Sequence, residues 1–165
     1  MKRLCALLLM ALGTSVAYAG SPDKAFYLKA AAGGLEEVQG GKLAQEKGGS
    51  EVVKSMGAKV VADHTAANEK LASIAAGKNI QLPKTPDAKQ RAMLKKLQTK
   101  SGTAFDAAYI KEEIADHKAT VALMQREATS GKDAEAKAFA AETLPVVKEH
   151  LGMLQNIKSG SMNSK

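Results

Sequence analysis

Residues 48–77 read GGSEVVKSMGAKVVADHTAANEKLASIAAG, and this stretch decides the fold. Gly48 and Gly49 end whatever precedes them, Ser50 stands where an N-cap accepts a free backbone amide, and Gly77 closes the segment. Between these stops Val53, Met56, Val60, His64, Ala67, Leu71 and Ile74 recur at steps of three and four, the spacing of a single helix face. No alternation of the strand type competes. The stretch is therefore one long helix buried along one side, with a histidine in the middle of its apolar stripe.

The same punctuation divides the chain on either side. Ser21-Pro22-Asp23 is a cap, a proline at the first helical position and an acid, opening a helix that should run to Lys47. After Gly77 a crossing loop with Leu82-Pro83 leads to Thr85-Pro86-Asp87, which repeats the pattern and opens a short helix toward Lys100. Ser101-Gly102 breaks it. Thr103 and Asp106 then stand at the capping-box spacing, starting a helix that continues to Thr129. Asp133 caps the last helix, expected to end at Lys158 before a disordered Gly/Ser/Asn tail, residues 159–165. High alanine content favours helix throughout. The expectation is an all-α fold: four long helices packed as a four-helix bundle, with one additional short helix, in a single domain over residues 20–158.

The N-terminus is of another kind. Met1-Lys2-Arg3 is followed by the apolar run from Leu4 to Leu12 and then Ala17-Tyr18-Ala19, the order of a cleaved signal peptide, residues 1–19. The run falls short of the roughly 20 residues needed to span a bilayer. The expected location is the periplasm or cell envelope, with no transmembrane segment after cleavage. The single cysteine, Cys5, leaves with the leader, so the mature fold rests on its core alone. The formal charge of +7 falls to +5 with the loss of Lys2 and Arg3. Basic residues alternate with acids along the chain, without clustered Arg and interleaved aromatics, which argues against a nucleic-acid partner. No partner or oligomeric state is legible.

The three histidines lie one on each of three long helices, each inside an apolar stripe. His117 falls in the series Ile110, Ile114, His117, Val121, Met124, and His150 in Phe139, Thr143, Val146, His150, Met153, Ile157. The first helix supplies Phe26, Ala30, Gly33, Glu37, Gly40 and Ala44, with Glu37 as the acid on that face. A buried carboxylate is costly unless it is paired or bound to a cation. Glu37, His64, His117 and His150 thus have the ligand types and number of a mononuclear transition-metal site, with zinc, copper or nickel favoured by imidazole. Each histidine directly follows an acid, and Asp63, Asp116 and Glu149 are placed to support imidazoles on adjacent helices by hydrogen bonding. The alternative is three hydrogen-bonded core histidines at different heights, with Glu37 paired to a lysine. Pro145, five residues before His150, removes the backbone bond to the Ala141 carbonyl; it serves either to turn His150 toward the axis or to shape the helix.

Asp63-His64 with Asn68, Leu71, Ala75 and Leu82-Pro83, then Phe105-Asp106 with Tyr109 and His117, and Leu144-Pro145 with His150-Leu151 resemble the DUF4142 family of exported bacterial proteins. The resemblance runs from Asp23 to Leu154 and implies a ferritin-like bundle without bringing an activity. Di-iron sites of that fold use Glu-x-x-His pairs. Here Val61, Ile114 and Val147 occupy those places, and the interior is expected to lack the carboxylates of oxygen chemistry. Hydrolase and transferase readings have no nucleophile motif or phosphate loop behind them. Two functions are left: an exported protein binding one divalent metal, or a non-catalytic structural or stress-related envelope protein with none.

Overall fold

The structure, a computed structural model, describes residues 23–163. The expected leader and the Ser21-Pro22 start of the first helix lie outside them. Among the described residues the chain forms α1 (Lys24–Lys47), α2 (Glu51–Gly77), the short α3 (Ala88–Gln98), α4 (Gly102–Ser130) and α5 (Ala134–Asn163). None of these helices is long and apolar enough to cross a membrane.

α1 packs along α2 and α4 along α5, giving two antiparallel hairpins; α1 also meets α4, and α2 meets α5. The segment carrying α3 returns along the bundle, so that α4 starts beside the α1–α2 turn, where Gly48 bridges Gly102. One long crossover between two hairpins is the connectivity of ferritin-like bundles. At the other end Lys78 pairs with Asp133, and Asp23 accepts hydrogen bonds from the backbone amides of Lys132 and Asp133, tying the start of α1 to the start of α5.

Caps explain where the helices begin, and two differ from expectation. Ser50 accepts from Val53 N, and Asp133 accepts from the amides of Glu135 and Ala136, as their sequence positions suggest. α3, however, is capped by Asp87 rather than Thr85. Asp87 Oδ1 accepts from Gln90 N at 2.9 Å while Gln90 Oε1 accepts from Asp87 N at 2.8 Å, a reciprocal box that leaves Pro86 outside the helix. α4 begins at Gly102, whose φ of 58° suits glycine, with Ser101 as the cap position. Asp106 is drawn away from Thr103: its two oxygens accept from Gly49 N at 2.8 Å and Ser50 N at 2.9 Å, closing the α1–α2 turn from a different helix. At its far end α5 runs five residues past Lys158, to Asn163, because extending a formed helix adds a hydrogen bond per residue without a new nucleation cost.

The apolar core is in two parts. One, near the start of α1, gathers Phe26, Tyr27, Leu71, Met124 and Phe139; the other, toward the α1–α2 turn, gathers Val53, Met56, Phe105, Tyr109 and Leu154. On α5 the buried face passes through Val147 and Leu154, while Met153, expected inside, is exposed. α1 and α2 cross closely at Gly41 and Gly57, where a Cβ on Gly41 would stand 2.7 Å from the Gly57 carbonyl oxygen. Small residues on this face let the two backbones touch.

Candidate metal centre

Between the two apolar clusters lies a polar layer. All three histidines reach it from different helices at the same height: His64 from α2, His117 from α4 and His150 from α5, each buried. Their ring centroids form a nearly equilateral triangle with sides of 5.8, 5.6 and 5.5 Å. One nitrogen from each lies within 4.8 Å of the others. The axial register, which spacing along a single helix cannot give, therefore brings the three together.

The nitrogens have an ordered division of labour. His117 Nδ1 is hydrogen-bonded to the Glu113 carbonyl oxygen at 3.0 Å, which leaves Nε2 facing inward. His150 Nε2 meets Asp63 Oδ2 at 2.7 Å, which leaves Nδ1 facing inward. The two inward nitrogens are 3.4 Å apart. Two nitrogens at about 2.05 Å from one tetrahedral ion are separated by about 3.3 Å, so this spacing fits a shared zinc-sized cation. His64 Nε2 is buried and has no hydrogen-bond partner. Burial, with the nearby His117 and His150, pushes His64 down to about 3. Burial also lowers His150, although the bond to Asp63 opposes it. Neutral imidazole is the ligand form, and the downward shifts of His64 and His150 favour it in both.

Of the three acids expected behind the histidines, Asp63 holds His150 across the α2–α5 interface, as the sequence suggests. Lys59 sits 3.1 Å from the same Asp63 oxygen and 3.3 Å from Glu149. Glu149 is therefore an exposed partner of Lys59 and reaches no imidazole. Asp116 is half-buried and lines a cleft beside α1, and among the described residues the histidine hydrogen bonds go elsewhere.

Glu37 is buried in the layer but on the other side of His117. Its Oε1 lies 3.4 Å from His117 Nδ1, the nitrogen turned away from the histidine triangle, and it groups with Glu113 and His117 rather than with His64 and His150. Nor is it alone. Glu36 and Glu113 are each 2 % exposed, like Glu37 itself, so the expectation that Glu37 is the one interior acid, and that the further carboxylates of oxygen chemistry are missing, is overturned. The Glu-x-x-His spacing is still missing, since Glu113 stands four residues before His117. A signal existed for the acids of α1: every residue three or four positions from Glu36 and Glu37 is Gly, Ala or Gln, so neither has a basic partner along the helix. On α4 Tyr109, Glu113 and His117 follow at i, i+4 and i+8, a second stripe beside the one traced through Ile110 and Ile114.

Two clefts reach the layer from opposite sides. One, of about 290 Å³ between α2 and α5, ends on Asp63 and His64 among Ala67, Phe139 and Val147. The other, of about 400 Å³, runs past Gln90, Asp116 and Arg126 to Glu36 and Glu37. In comparisons with known proteins, a family profile described as a domain of unknown function (DUF4142) matches residues 11–157. No curated protein and no solved structure matches the chain.

Proposed function

The chain belongs to the DUF4142 family, and we propose that it is an exported envelope protein that holds one divalent transition metal through His64, His117 and His150. The observation that supports this reading is the convergence of three buried imidazole nitrogens within 4.8 Å of one another. Ligand chemistry favours zinc, copper or nickel. Three protein nitrogens leave a fourth position, and the α2–α5 cleft gives a water molecule or small ligand a route to it. Asp63 orients His150, and the Glu113 carbonyl orients His117. Export is proposed from the leader-like order of residues 1–19.

The competing reading, a structural envelope protein without metal, draws on the 3.4 Å contact between His117 and His150, which becomes a hydrogen bond in a metal-free core when one of the two rings carries a second proton. Elemental analysis of protein purified from the exported fraction separates the two. Near-stoichiometric metal in the wild type and its loss in His64→Ala is the expected result. Protein that arrives metal-free, with a melting temperature unmoved by zinc, copper or nickel, would leave the structural reading in its place.

A further inference from the structure

We propose that Glu37 and Glu113, whose carboxylate oxygens lie within 4.8 Å of each other, with Glu36 and the Tyr109 hydroxyl on their flank, form a second cation site that takes an oxygen-preferring divalent ion, next to the histidine triangle and separate from it. Four buried oxygens carry the argument. Glu36 Oε1, Glu37 Oε2, Glu113 Oε2 and the Tyr109 hydroxyl are all shielded from solvent; Glu37 and Tyr109 have only Glu113 to share a proton with, and Glu36 Oε1 has no hydrogen-bond partner. Their residues are 2 % exposed or less. Buried polar atoms are nearly always satisfied, so a carboxylate left alone beside two others with one phenol between them calls for a missing partner. Three carboxylates and a phenol require that partner to be positive or to supply protons.

Among the described residues no lysine or arginine forms an ion pair with them, although Lys29 and Arg126 line the cleft that leads to Glu36 and Glu37. Among the described residues the ion pairs of Glu37 and Glu113 go only to His117 Nδ1, each at 3.4 Å, and that nitrogen already has the Glu113 carbonyl as its hydrogen-bond partner. Gly40 opens the space. A Cβ there would stand 3.1 Å from Glu113 Oε1, 3.7 Å from Glu36 Oε1 and 3.8 Å from the Tyr109 ring edge, so α1 is narrow where Glu36, Glu113 and Tyr109 approach one another. The cleft that passes Gln90 and Asp116 ends on Glu36 and Glu37, which gives a cation a way in from solvent.

Donor type sets this site apart from its neighbour. Carboxylate and phenol oxygens are hard ligands that suit manganese, magnesium or calcium, whereas imidazole suits zinc, copper and nickel. A divalent ion neutralises two of the three carboxylates and leaves the third able to keep a proton. Without it, burial and mutual repulsion drive Glu36 and Glu37 well above the ordinary carboxylate range.

The test uses Mn²⁺ as the probe and electron paramagnetic resonance as the readout, since the signal of free Mn²⁺ falls as the ion is bound. Full-length protein loaded with zinc is titrated with Mn²⁺ beside the Glu36→Gln, Glu113→Gln and His64→Ala variants, each checked for folding by circular dichroism. The wild type should bind one Mn²⁺ in addition to zinc. Glu36→Gln and Glu113→Gln should each weaken Mn²⁺ binding at least tenfold while keeping zinc, and either variant suffices if the other fails to fold. His64→Ala should lose zinc and keep Mn²⁺. No Mn²⁺ bound, or Mn²⁺ bound equally by wild type and both glutamine variants, overturns the second site and leaves the histidine site standing. Zinc retained in His64→Ala overturns the histidine site and leaves the second one standing. Carboxyls that merely hold protons would show as the first of these outcomes.

Discussion

Replacing Asp63 by asparagine should weaken metal binding by roughly an order of magnitude without changing the number of ions bound. Asp63 touches no inward-facing nitrogen; its role is to hold His150 by the 2.7 Å contact to Nε2. Asparagine keeps the size and one acceptor oxygen and removes only the charge. A hydrogen bond to a charged group contributes about 1.5–3 kcal/mol and a neutral one about 0.5–1.5 kcal/mol, so the change is about 1–1.5 kcal/mol. At about 1.4 kcal/mol per tenfold, that is roughly a tenfold rise in Kd. It falls at the lower edge of the roughly 10–100-fold effect of groups that orient metal ligands. Lys59, 3.1 Å from the same oxygen, already draws on the carboxylate and keeps the effect at that edge. Competition between the protein and a chromophoric zinc chelator measures both quantities. Unchanged affinity would refute the orienting role, and loss of the ion altogether would make Asp63 a ligand.

Two further outcomes follow from the packing and from the polar layer. Gly41→Ala should lower stability by about 1–3 kcal/mol in urea denaturation, because its Cβ meets the Gly57 carbonyl at 2.7 Å and backbone cannot yield as a side chain does. Gly152→Ala in α5, where a Cβ meets nothing within 4 Å, should instead raise stability by about 0.5–1 kcal/mol. The metal-free protein should be most stable at mildly acid pH. His64 takes a proton near 6.5 when unfolded but only near 3 when folded, so the unfolded chain binds more protons across that range and stability falls as pH drops through it. Glu36 is held protonated up to about 9 in the fold and releases its proton near 4.5 when unfolded, so stability also falls as pH rises between those values. Melting temperatures across pH 3–9 check this, and a flat profile, or one that rises steadily to the alkaline end, would count against the buried groups as described.

Much of the fold was legible because the helix stops are written in Gly, Ser, Asp and Pro. The inward placement of the histidines was legible too, since His64, His117 and His150 each interrupt an apolar stripe. Their common height was not, because it depends on how α2, α4 and α5 slide past one another, and no single helix encodes that. Glu36 and Glu113 escaped because an acid between apolar stripes reads as solvent-facing. Only the meeting of α1 with α4 buries both. Met153 was misplaced and Leu154 overlooked because steps of three and four from His150 are equally allowed by the helical period. The caps moved for a related reason: Asp106 has a better use on the α1–α2 turn than on its own helix, and that turn is remote in sequence.

The division of the core into two apolar halves bears on the order in which the protein assembles. His64 and the α1 glutamates belong to the first hairpin, while His117, His150 and Glu113 belong to the second. On the proposed metal reading neither hairpin carries a complete ligand set, so an ion would not template either one as it emerges. It can only clasp them after they have docked. The apolar clusters above and below would then close the axial exits, so an ion would exchange sideways, through the cleft between α2 and α5 or the one beside α1.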